Sequence, residues 1–348
     1  MPKIQATELH KIVSKLLSAA GADERNSDRV SEALVSSNLC GVDTHGVFHV
    51  PRYINEIKEG TLIPTAWPEL DTETPTSALV KGNWTFGHVV AKYSMEIAIE
   101  KACGQGISVV SFVRSNHIGR LGEYAEMAAD AGMISQIWAS GYGVGMPAAV
   151  PFGGREPFLH SNPIAIGIPG GDEPAMILDF ATTNIANSKV KIAQNRGQEV
   201  PPNSLTDQEG NPTTDPSGYP DVGGLMPFGA HKGYSIMLAN EFLGRVLSGA
   251  DGFVEEGRGG AVMRNQGVTM LVMKSDLFQA VSEFGKSSDT LQRGIRGVAP
   301  RKGFESVMVP GDLENKARSV RSIDGIPLPE DHWDALIDLG NELGVNII

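Results

Sequence analysis

The chain has 348 residues, of which 41% are hydrophobic and 20% are charged. This length predicts two lobes rather than one simple core, and this composition excludes wholesale disorder, which needs low hydrophobicity and a high charge density. The 41 acidic residues outnumber the 29 basic ones, and the formal net charge is −12. Because no run of lysine or arginine is present, nucleic acid is excluded as an expected partner.

The cysteines and the N-terminal residues predict the cellular compartment of the protein. Cys40 and Cys103 lie far apart and neither has a metal-ligand spacing, so we expect two buried thiols and no disulfide framework or zinc cluster. The first residues lack the apolar core of a signal peptide, and no stretch is apolar enough to span a bilayer. The sequence therefore predicts a soluble, cytoplasmic protein without a membrane partner.

The first fifth of the chain reads mainly as helices. One face of the first helix carries apolar residues at helical spacing: Leu9, Ile12, Val13, Leu16 and Leu17. A second helix is predicted over residues 28–39, and Pro51 opens a third that ends at Gly60. The proline-containing stretch 61–75 is predicted to connect two lobes.

From residue 77 onward, strands and helices alternate, which predicts an α/β lobe. The predicted strands cover residues 77–82, 107–113, 133–140, 164–169, 175–180 and 268–273. The predicted helices cover residues 89–106, 122–132, 232–249 and 331–344. Residues 201–229 form a long irregular segment, which is typical of a lid or binding loop. The last helix resembles the N-terminal helices in character, so we expect the two chain ends to pack together.

No dinucleotide-binding fingerprint follows any of these strands. The nearest match, GYGVGM from Gly141, has Met146 in the place of the third glycine and no helical pattern after it. Ligands nevertheless collect where strands of α/β sheets end, because backbone N–H groups and helix N-termini meet there. The polar residues near such ends or at the start of a helix are Ser115, Asn116, His117, Ser140, Asp179, Thr182, Thr183, His231 and Lys232.

The histidines are the natural candidates for proton transfer near neutral pH, in particular His45 and His117. Each could instead be an ordinary histidine of a polar turn, and Asp179 could cap the turn that follows it. Lys232 stands at a predicted helix start, where a cation is disfavoured, and this favours a functional role. The close pair His45 and His49 has no third ligand nearby in sequence, so no metal site is predicted.

Several stretches, in the same order along the chain, resemble the malate/L-lactate dehydrogenase family of NAD(P)-dependent oxidoreductases that lack a Rossmann domain. The resemblance runs from about Thr7 to the C-terminus through GVDTHGV, PRYINEIKEG, SNHIGRLGEYAEMAADAGMI, PFGGREPFLHSNPIAIGIP, LDFATT, GNPTTDP, FGAHKGY and VPGDLE. It implies an α/β fold with a non-Rossmann NAD(P)-binding lobe, here residues 76–304. It also implies a second lobe built partly from the terminal segments, here residues 1–75 and 305–348, and a homodimer with its active site near the subunit contact.

The resemblance also implies residue roles. His45, in the D-[ST]-H-G motif, would give and take the proton of the substrate oxygen, and His117, in the S-N-H motif, would share this acid/base site with Asn116 as a substrate contact. The cofactor, NAD or NADP, would be bound by Ser140, Gly141, Asp179, Phe180, Ala181, His231, Lys232, Gly311 and Asp312.

The chain departs from the family pattern on the substrate side. The family often has an arginine four residues after the catalytic histidine, and this chain has His49 there. Further departures stand at residues 160–163, 188–190 and 265–268. A substrate carboxylate would be bound by His49 or, as we prefer, by Arg52, because a guanidinium offers a permanently charged pair of donors and Arg52 lies at the start of a helix.

These observations predict hydride transfer between a nicotinamide cofactor and a small 2-oxo or 2-hydroxy acid of the malate, lactate, sulfolactate or ureidoglycolate type. One alternative is reduction of a cyclic imine carboxylate, in which C=N replaces C=O as the acceptor. A second alternative is an inactive relative that retains cofactor binding. The choice between NAD and NADP stays open, because the chain has no Rossmann acidic residue from which to infer it.

Overall fold

The computed structural model describes residues 1–141 and 146–347. Residues 142–145, which belong to the GYGVGM stretch, and residue 348 lie outside the described residues.

The helices are α1 (Ala6–Ala19), α2 (Glu24–Leu39), α3 (Val50–Lys58), α4 (Gly87–Gln105), α5 (Leu121–Asp130), α6 (Asn187–Asn195), α7 (His231–Glu241), α8 (Gly260–Met263), α9 (Val281–Arg296), α10 (Asp312–Asp324) and α11 (Glu330–Leu343). The strands are β1 (Lys3–Ile4), β2 (Glu69–Glu73), β3 (Ser77–Lys81), β4 (Ile107–Val113), β5 (Met133–Ser140), β6 (Ile164–Ile168), β7 (Met176–Phe180), β8 (Leu205–Thr206), β9 (Pro212–Thr213), β10 (Gly267–Lys274) and β11 (Ile326–Pro327). Short 3-10 turns cover Asp43–His45, Val47–His49 and Ala250–Phe253, and a π-helical turn, Phe242–Val246, continues α7.

A seven-stranded sheet with the order β2-β3-β4-β10-β5-β6-β7 forms the centre of the fold. It is mixed: β3 and β4 are parallel, and the other neighbouring pairs are antiparallel. Because β10 runs against both β4 and β5, and β6 runs against both β5 and β7, the strands β4, β5 and β7 share one direction. Their carboxyl ends therefore lie at the same edge of the sheet, although they are not neighbours.

Helices α4 and α5 pack on this sheet and form its core. The buried positions of α4 recur every three to four residues, which turns one face to the sheet: Val90, Ala91, Met95, Ala98 and Ala102. The sheet contributes Val110, Phe112, Met270 and Val272 from β4 and β10. Cys103 follows the buried Ala102 by about 100° of helical rotation and is exposed. The expectation of two buried thiols is thus wrong for Cys103 and correct for Cys40.

A second core joins the two ends of the chain. The five apolar residues predicted to share a face of α1 are all buried in it. Ile326, Leu328 and Leu336 from the C-terminal region belong to the same cluster, and β1 pairs with β11. The expectation that the chain ends pack together is confirmed, while the residue boundaries of two lobes stay a prediction.

Two segments differ from the sequence-based expectations. The stretch 61–75 contains the edge strand β2 and is more than a connection. The helix predicted over residues 232–249 changes to a π turn after Glu241, and its apolar residues Phe242, Val246 and Leu247 are exposed. Residues 201–229 are irregular apart from β8 and β9, as expected. Across the described ranges, no helix has the length and hydrophobicity needed to span a bilayer.

Candidate active site

The loop of residues 43–49 carries two histidines between α2 and α3. Asn38, which is buried in α2, fixes this loop: its Nδ2 donates to Oδ1 of Asp43 at 2.7 Å, and its Oδ1 accepts from the backbone N–H of Val47 at 2.9 Å. A Cβ at Gly46 would lie 2.2 Å from Oδ1 of Asn38, so the loop can approach α2 this closely only with glycine at that position.

An ion pair ties the same loop to the C-terminal part of the chain. The guanidinium of Arg321, in α10, donates to both carboxylate oxygens of Asp43, at 2.6 and 3.1 Å. It also donates to the backbone carbonyl of Asn38 at 2.5 Å. The loop is therefore held from both sides, by α2 and by α10.

His117 comes from the turn that follows β4, and the start of α4 lies directly against this turn. The amide nitrogen of Asn116 donates to the carbonyls of Trp84 and Thr85, at 2.8 and 3.2 Å. A Cβ at Gly87 would lie 2.2 Å from the carbonyl oxygen of Asn116, so α4 must begin with glycine here. Both amide hydrogens of Asn116 are thus engaged with the backbone, and its role as a substrate contact stays a prediction.

The structure brings three histidine rings together with Tyr53. The centroid of the His117 ring lies 5.8 Å from that of His45, with the two rings stacked, and 4.6 Å from that of His49. The hydroxyl of Tyr53 lies 2.7 Å from Nδ1 of His117. Burial raises the pKa of Tyr53 far above its usual value, so the hydroxyl stays protonated and can either donate a hydrogen bond to Nδ1 or accept one from it. When the hydroxyl donates, neutral His117 carries its own proton on Nε2.

These imidazoles are neutral at pH 7. Burial, and secondly the charge of Arg120, lowers the pKa of His45 to about 4. Burial and the charge of Arg52 lower the pKa of His49 to about 3. The pKa of His117 lies well below its usual value, first because of burial and then because of the neighbouring His49 and Arg52. A cluster of neutral imidazoles can accept a proton from a substrate hydroxyl.

His49 cannot bind an anion as an arginine would. Its Nε2 lies 2.9 Å from the carbonyl oxygen of Thr44, and a carbonyl only accepts, so Nε2 carries the single proton of the neutral ring. Nδ1 is then unprotonated, and a pKa of about 3 keeps it so at neutral pH. His49 therefore lacks both a charge and an N–H group for a substrate carboxylate, and its substrate-binding role stays a prediction.

Arg52 lies close enough to this cluster for its charge to lower the pKa values of His49, His117 and His160. Its Nε donates to Glu56 at 2.7 Å. The two terminal nitrogens make no hydrogen bond within the described residues, and 38% of the side chain is exposed. Arg52 therefore keeps two charged donors for a ligand at the edge of the cluster.

His160 lines a cavity of about 510 Å³ and lies near enough to Arg52 to feel its charge. Burial and the charge of Arg52 lower the pKa of His160 to about 4. The cavity is also lined by Arg155, Lys191 and Tyr219, so the irregular segment 201–229 forms part of its wall.

The end of β7 lies at the same sheet edge as His117. Oδ2 of Asp179 accepts from the backbone N–H of Gly122, in the first turn of α5, at 2.7 Å. The Asp179 side chain is exposed, and partial loss of hydration next to the protein raises the pKa of its carboxyl group to about 6. Phe180 packs edge-on against Phe228, with centroids 5.4 Å apart. Asp179 thus caps α5, and its cofactor role stays a prediction.

The turn before α7 is joined to this strand end. The backbone N–H of Phe228 donates to the carbonyl of Thr182 at 3.0 Å, which brings α7 next to Ala181. His231 and Lys232 form the exposed first turn of α7.

Gly311 begins α10 beside the same strand: its φ is +101°, and a Cβ there would lie 3.3 Å from the backbone nitrogen of Ile177. The carboxylate of Asp312 is engaged by Arg296, at 2.7 and 3.0 Å. Asp179 and Ala181, which the resemblance assigns to the cofactor, therefore lie with the turn before Lys232 at the carboxyl end of β7, whereas Gly311 lies beside the first residues of this strand.

Ser140 and Gly141 lie two strands away, at the end of β5. Ser140 is buried, and a Cβ at Gly244 of the π turn would lie only 2.4 Å from its Oγ. A Cβ at Gly141 would lie 3.1 Å from Cα of Gln266. The π turn thus covers Ser140, and the cofactor roles of both residues stay predictions.

With this geometry established, comparisons with known proteins decide the family. The family described as malate/L-lactate dehydrogenase matches residues 4–337 of the chain. The chain belongs to this family. An L-sulfolactate dehydrogenase of Methanothermobacter thermautotrophicus is 34% identical to it, over 99% of this chain and 98% of that protein. The oxidoreductase class predicted from the sequence is confirmed.

Solved structures of this dehydrogenase family have the same fold. The malate dehydrogenase of Entamoeba histolytica has a TM-score of 0.91 at 27% identity, with 99% of both chains covered. The delta1-piperideine-2-carboxylate reductase of Pseudomonas syringae pv. tomato has a TM-score of 0.84 at 25% identity, with 97% of this chain and 100% of that chain covered. The mixed α/β fold class is therefore confirmed.

Sequence reasoning missed two members of the cluster of this dehydrogenase. Tyr53 was not among the candidate site residues, although it follows His49 by four residues, a spacing that puts both on one side of a helix. His88 lies near the start of the apolar helix α4, and its ring centroid is 6.1 Å from that of His117. No local pattern distinguishes it from a core position.

Proposed function

We propose that the chain catalyses reversible hydride transfer between a nicotinamide cofactor and a small 2-hydroxy or 2-oxo acid. His45 accepts and returns the proton of the substrate oxygen, and His117 orients that oxygen. The observation that carries the proposal is the stack of neutral His45 on neutral His117, whose Nδ1 lies 2.7 Å from the Tyr53 hydroxyl. A hydrogen bond donated by this hydroxyl would leave the proton of His117 on Nε2.

The geometry suits proton transfer in both directions. During oxidation the substrate hydroxyl loses its proton, and neutral His45 accepts it. Nε2–H of His117 donates a hydrogen bond to the same oxygen and stabilises the negative charge that develops there. During reduction His45 returns the proton to the oxygen. A nicotinamide cofactor, when bound, supplies the hydride acceptor or donor for this chemistry.

The residues at the end of β7 fit a dinucleotide. Lys232 is exposed in the first turn of α7, where free N–H groups and the helix dipole favour a phosphate. Nothing lies within 4 Å of the position that a Cβ of Gly229 would take, so the backbone before the helix is open to a ligand. Lys232 would hold the dinucleotide at this end of β7, and the resemblance adds Gly311, which lies beside the first residues of the same strand. The dinucleotide is either NAD or NADP.

Arg52 would bind the substrate carboxylate in place of the arginine that the family often has at position 49. Its terminal nitrogens are available, whereas the proton of His49 is held by a backbone carbonyl. Two parallel hydrogen bonds from a guanidinium to a carboxylate also fix the direction in which the substrate lies. The resemblance further supports a cytoplasmic homodimer.

A cyclic imine carboxylate is the second candidate substrate, favoured by the likeness to the Pseudomonas syringae reductase. In that case the ring nitrogen would take the place of the carbonyl oxygen, with Arg52 on the carboxylate as before.

The test follows nicotinamide absorbance with a panel of 2-hydroxy acids, 2-oxo acids and cyclic imine carboxylates, each with NAD(H) and NADP(H). We expect turnover of an acid that is lost in His45→Ala and kept in His10→Ala, a control on the surface of α1. Turnover restricted to imines would decide for the second candidate. Cofactor binding without turnover of any acid or imine would contradict both.

A further inference from the structure

His88 is a buried histidine that the mechanism above does not use. It is 1% exposed, and neither ring nitrogen has a hydrogen-bond partner within the described residues. An unpaired polar group in the interior is destabilising, and an apolar side chain of similar volume would avoid this cost. A side chain retained at such a position calls for a role that packing alone does not supply.

The contacts of His88 point to the proposed catalytic cluster. Its ring centroid lies 5.7 Å from that of Tyr53 and 6.1 Å from that of His117, and both neighbours meet it edge to face. These are the two residues joined by the hydrogen bond at 2.7 Å. His88 therefore packs against both partners of that hydrogen bond.

The backbone after His117 rests directly on the His88 ring. A Cβ at Gly119 would lie 2.4 Å from Nε2 of His88, and the φ of Gly119 is +71°. A flat five-membered ring fits beneath this glycine, whereas a six-membered ring would extend further into the same backbone. The size of the imidazole thus sets the distance between α4 and the turn that carries His117.

On the basis of the proposed function, we propose that His88 is a positioning residue that holds the Tyr53–His117 hydrogen bond in place from beneath. It acts through the Tyr53 ring and through the turn at Gly119, and it takes no part in proton transfer itself. Without this support the His117 ring could rotate, which would separate its Nδ1 from the Tyr53 hydroxyl and turn its Nε2–H away from the substrate oxygen.

The test compares His88→Leu with Ser94→Ala in the full-length enzyme. Ser94 lies in the same helix, is fully buried, and also has an unpartnered hydroxyl, so its replacement removes a comparable buried polar group away from the cluster. We expect neither variant to lower Tm, and each to raise it by roughly 1–2 °C, because a buried unpaired group is removed. His88→Leu should lower kcat about 10-fold, with the KM for the cofactor unchanged, because small misplacements of a catalytic group are costly. Ser94→Ala should keep the wild-type kcat.

A second readout does not depend on activity. The ¹⁵N shift of Nδ1 of His117 reports whether this nitrogen accepts a hydrogen bond. We expect the shift to move towards that of a free nitrogen in His88→Leu and in Gly119→Ala, whose added methyl displaces the ring, and to stay unchanged in Ser94→Ala. An unchanged shift in His88→Leu would overturn the proposal, whether or not Tm or kcat falls. If no substrate is turned over, the proposed function fails, and the shift still decides the role of His88.

Discussion

Five histidines that are fully or partly buried make the stability of this protein depend on pH in a defined direction. His45, His49, His88, His117 and His160 all have pKa values lowered by burial in the folded chain. In the unfolded chain an imidazole has a pKa near 6.5. Below pH 6.5 the unfolded state therefore binds more protons than the folded state, so stability falls as the pH falls. For these groups it is constant above about pH 7.

His160 gives the magnitude for a single group. Its pKa is about 4 when folded, and about 2.5 pH units therefore separate the two states, at roughly 1.4 kcal/mol per unit. Between pH 7.5 and 4.5 this amounts to about 2.5 kcal/mol, and part of the ring reaches solvent, so we expect about 2 kcal/mol. The carboxyl groups titrate in wild type and variant alike and cancel in the comparison.

The assay is urea unfolding of wild type and His160→Asn at pH 7.5, 6.5, 5.5 and 4.5. The loss of unfolding free energy between the highest and lowest pH should be smaller in the variant by about 2 kcal/mol. The difference at pH 7.5, where the ring is neutral in both states, measures packing alone. Equal pH dependence in the two proteins would refute the reasoning, because His160 would then bind its proton equally well in both states.

The remaining predictions concern activity and binding. His45→Ala should lower kcat about 10²–10⁴-fold with little change in cofactor affinity, and a near-normal kcat with rate-limiting chemistry would remove the assignment. Lys232→Ala should raise the Kd of the cofactor and reduce its salt dependence, as measured by calorimetry, and an unchanged Kd would place Lys232 outside the site. Arg52→Ala should raise the KM of a carboxylate substrate strongly and His49→Ala mildly, because the N–H of His49 is held by a carbonyl; a silent Arg52→Ala would refute this role. Tyr53→Phe should lower kcat about 10-fold, since Nδ1 of His117 loses its donor, and equal rates would show that the bond does not matter.

Local periodicity was sufficient to predict most helices and strands of this fold. The apolar face of α1 and the short strands β4 and β5 are readable because each buries a regular set of side chains. The π turn after α7 was not readable, because it depends on the close approach of Gly244 to Ser140, a contact between residues about 100 positions apart. Helix α9 buries only Gly285, Asp289 and Gln292, and helix α10 buries no residue, so neither carries an apolar core face that the sequence could show.

The site was predicted in part for a similar reason. His45 and His117 are histidines, which a sequence alone identifies as candidates for proton transfer. The shared direction of β4 and β7 places His117 and Asp179 at one edge of the sheet, where the loop with His45 meets His117. The sequence did not show that the N–H of His49 is already hydrogen-bonded, because this bond depends on the carbonyl of Thr44 turning back towards the ring. The hydrogen bond between Tyr53 and His117 joins α3 to the turn after β4, and no local spacing reports such a pair.

Because of the ion pair between Arg321 and Asp43, the loop with His45 is completed only late in synthesis of the chain. The loop with His45 emerges from the ribosome early, but its second support comes from α10, about 280 residues later. The strand β11, which pairs with β1, follows α10 directly. A nascent or C-terminally truncated chain that lacks α10 would therefore hold His45 on one side only. Such a fragment could bury much of its sheet while remaining catalytically silent, so activity would serve as a late marker of completed synthesis.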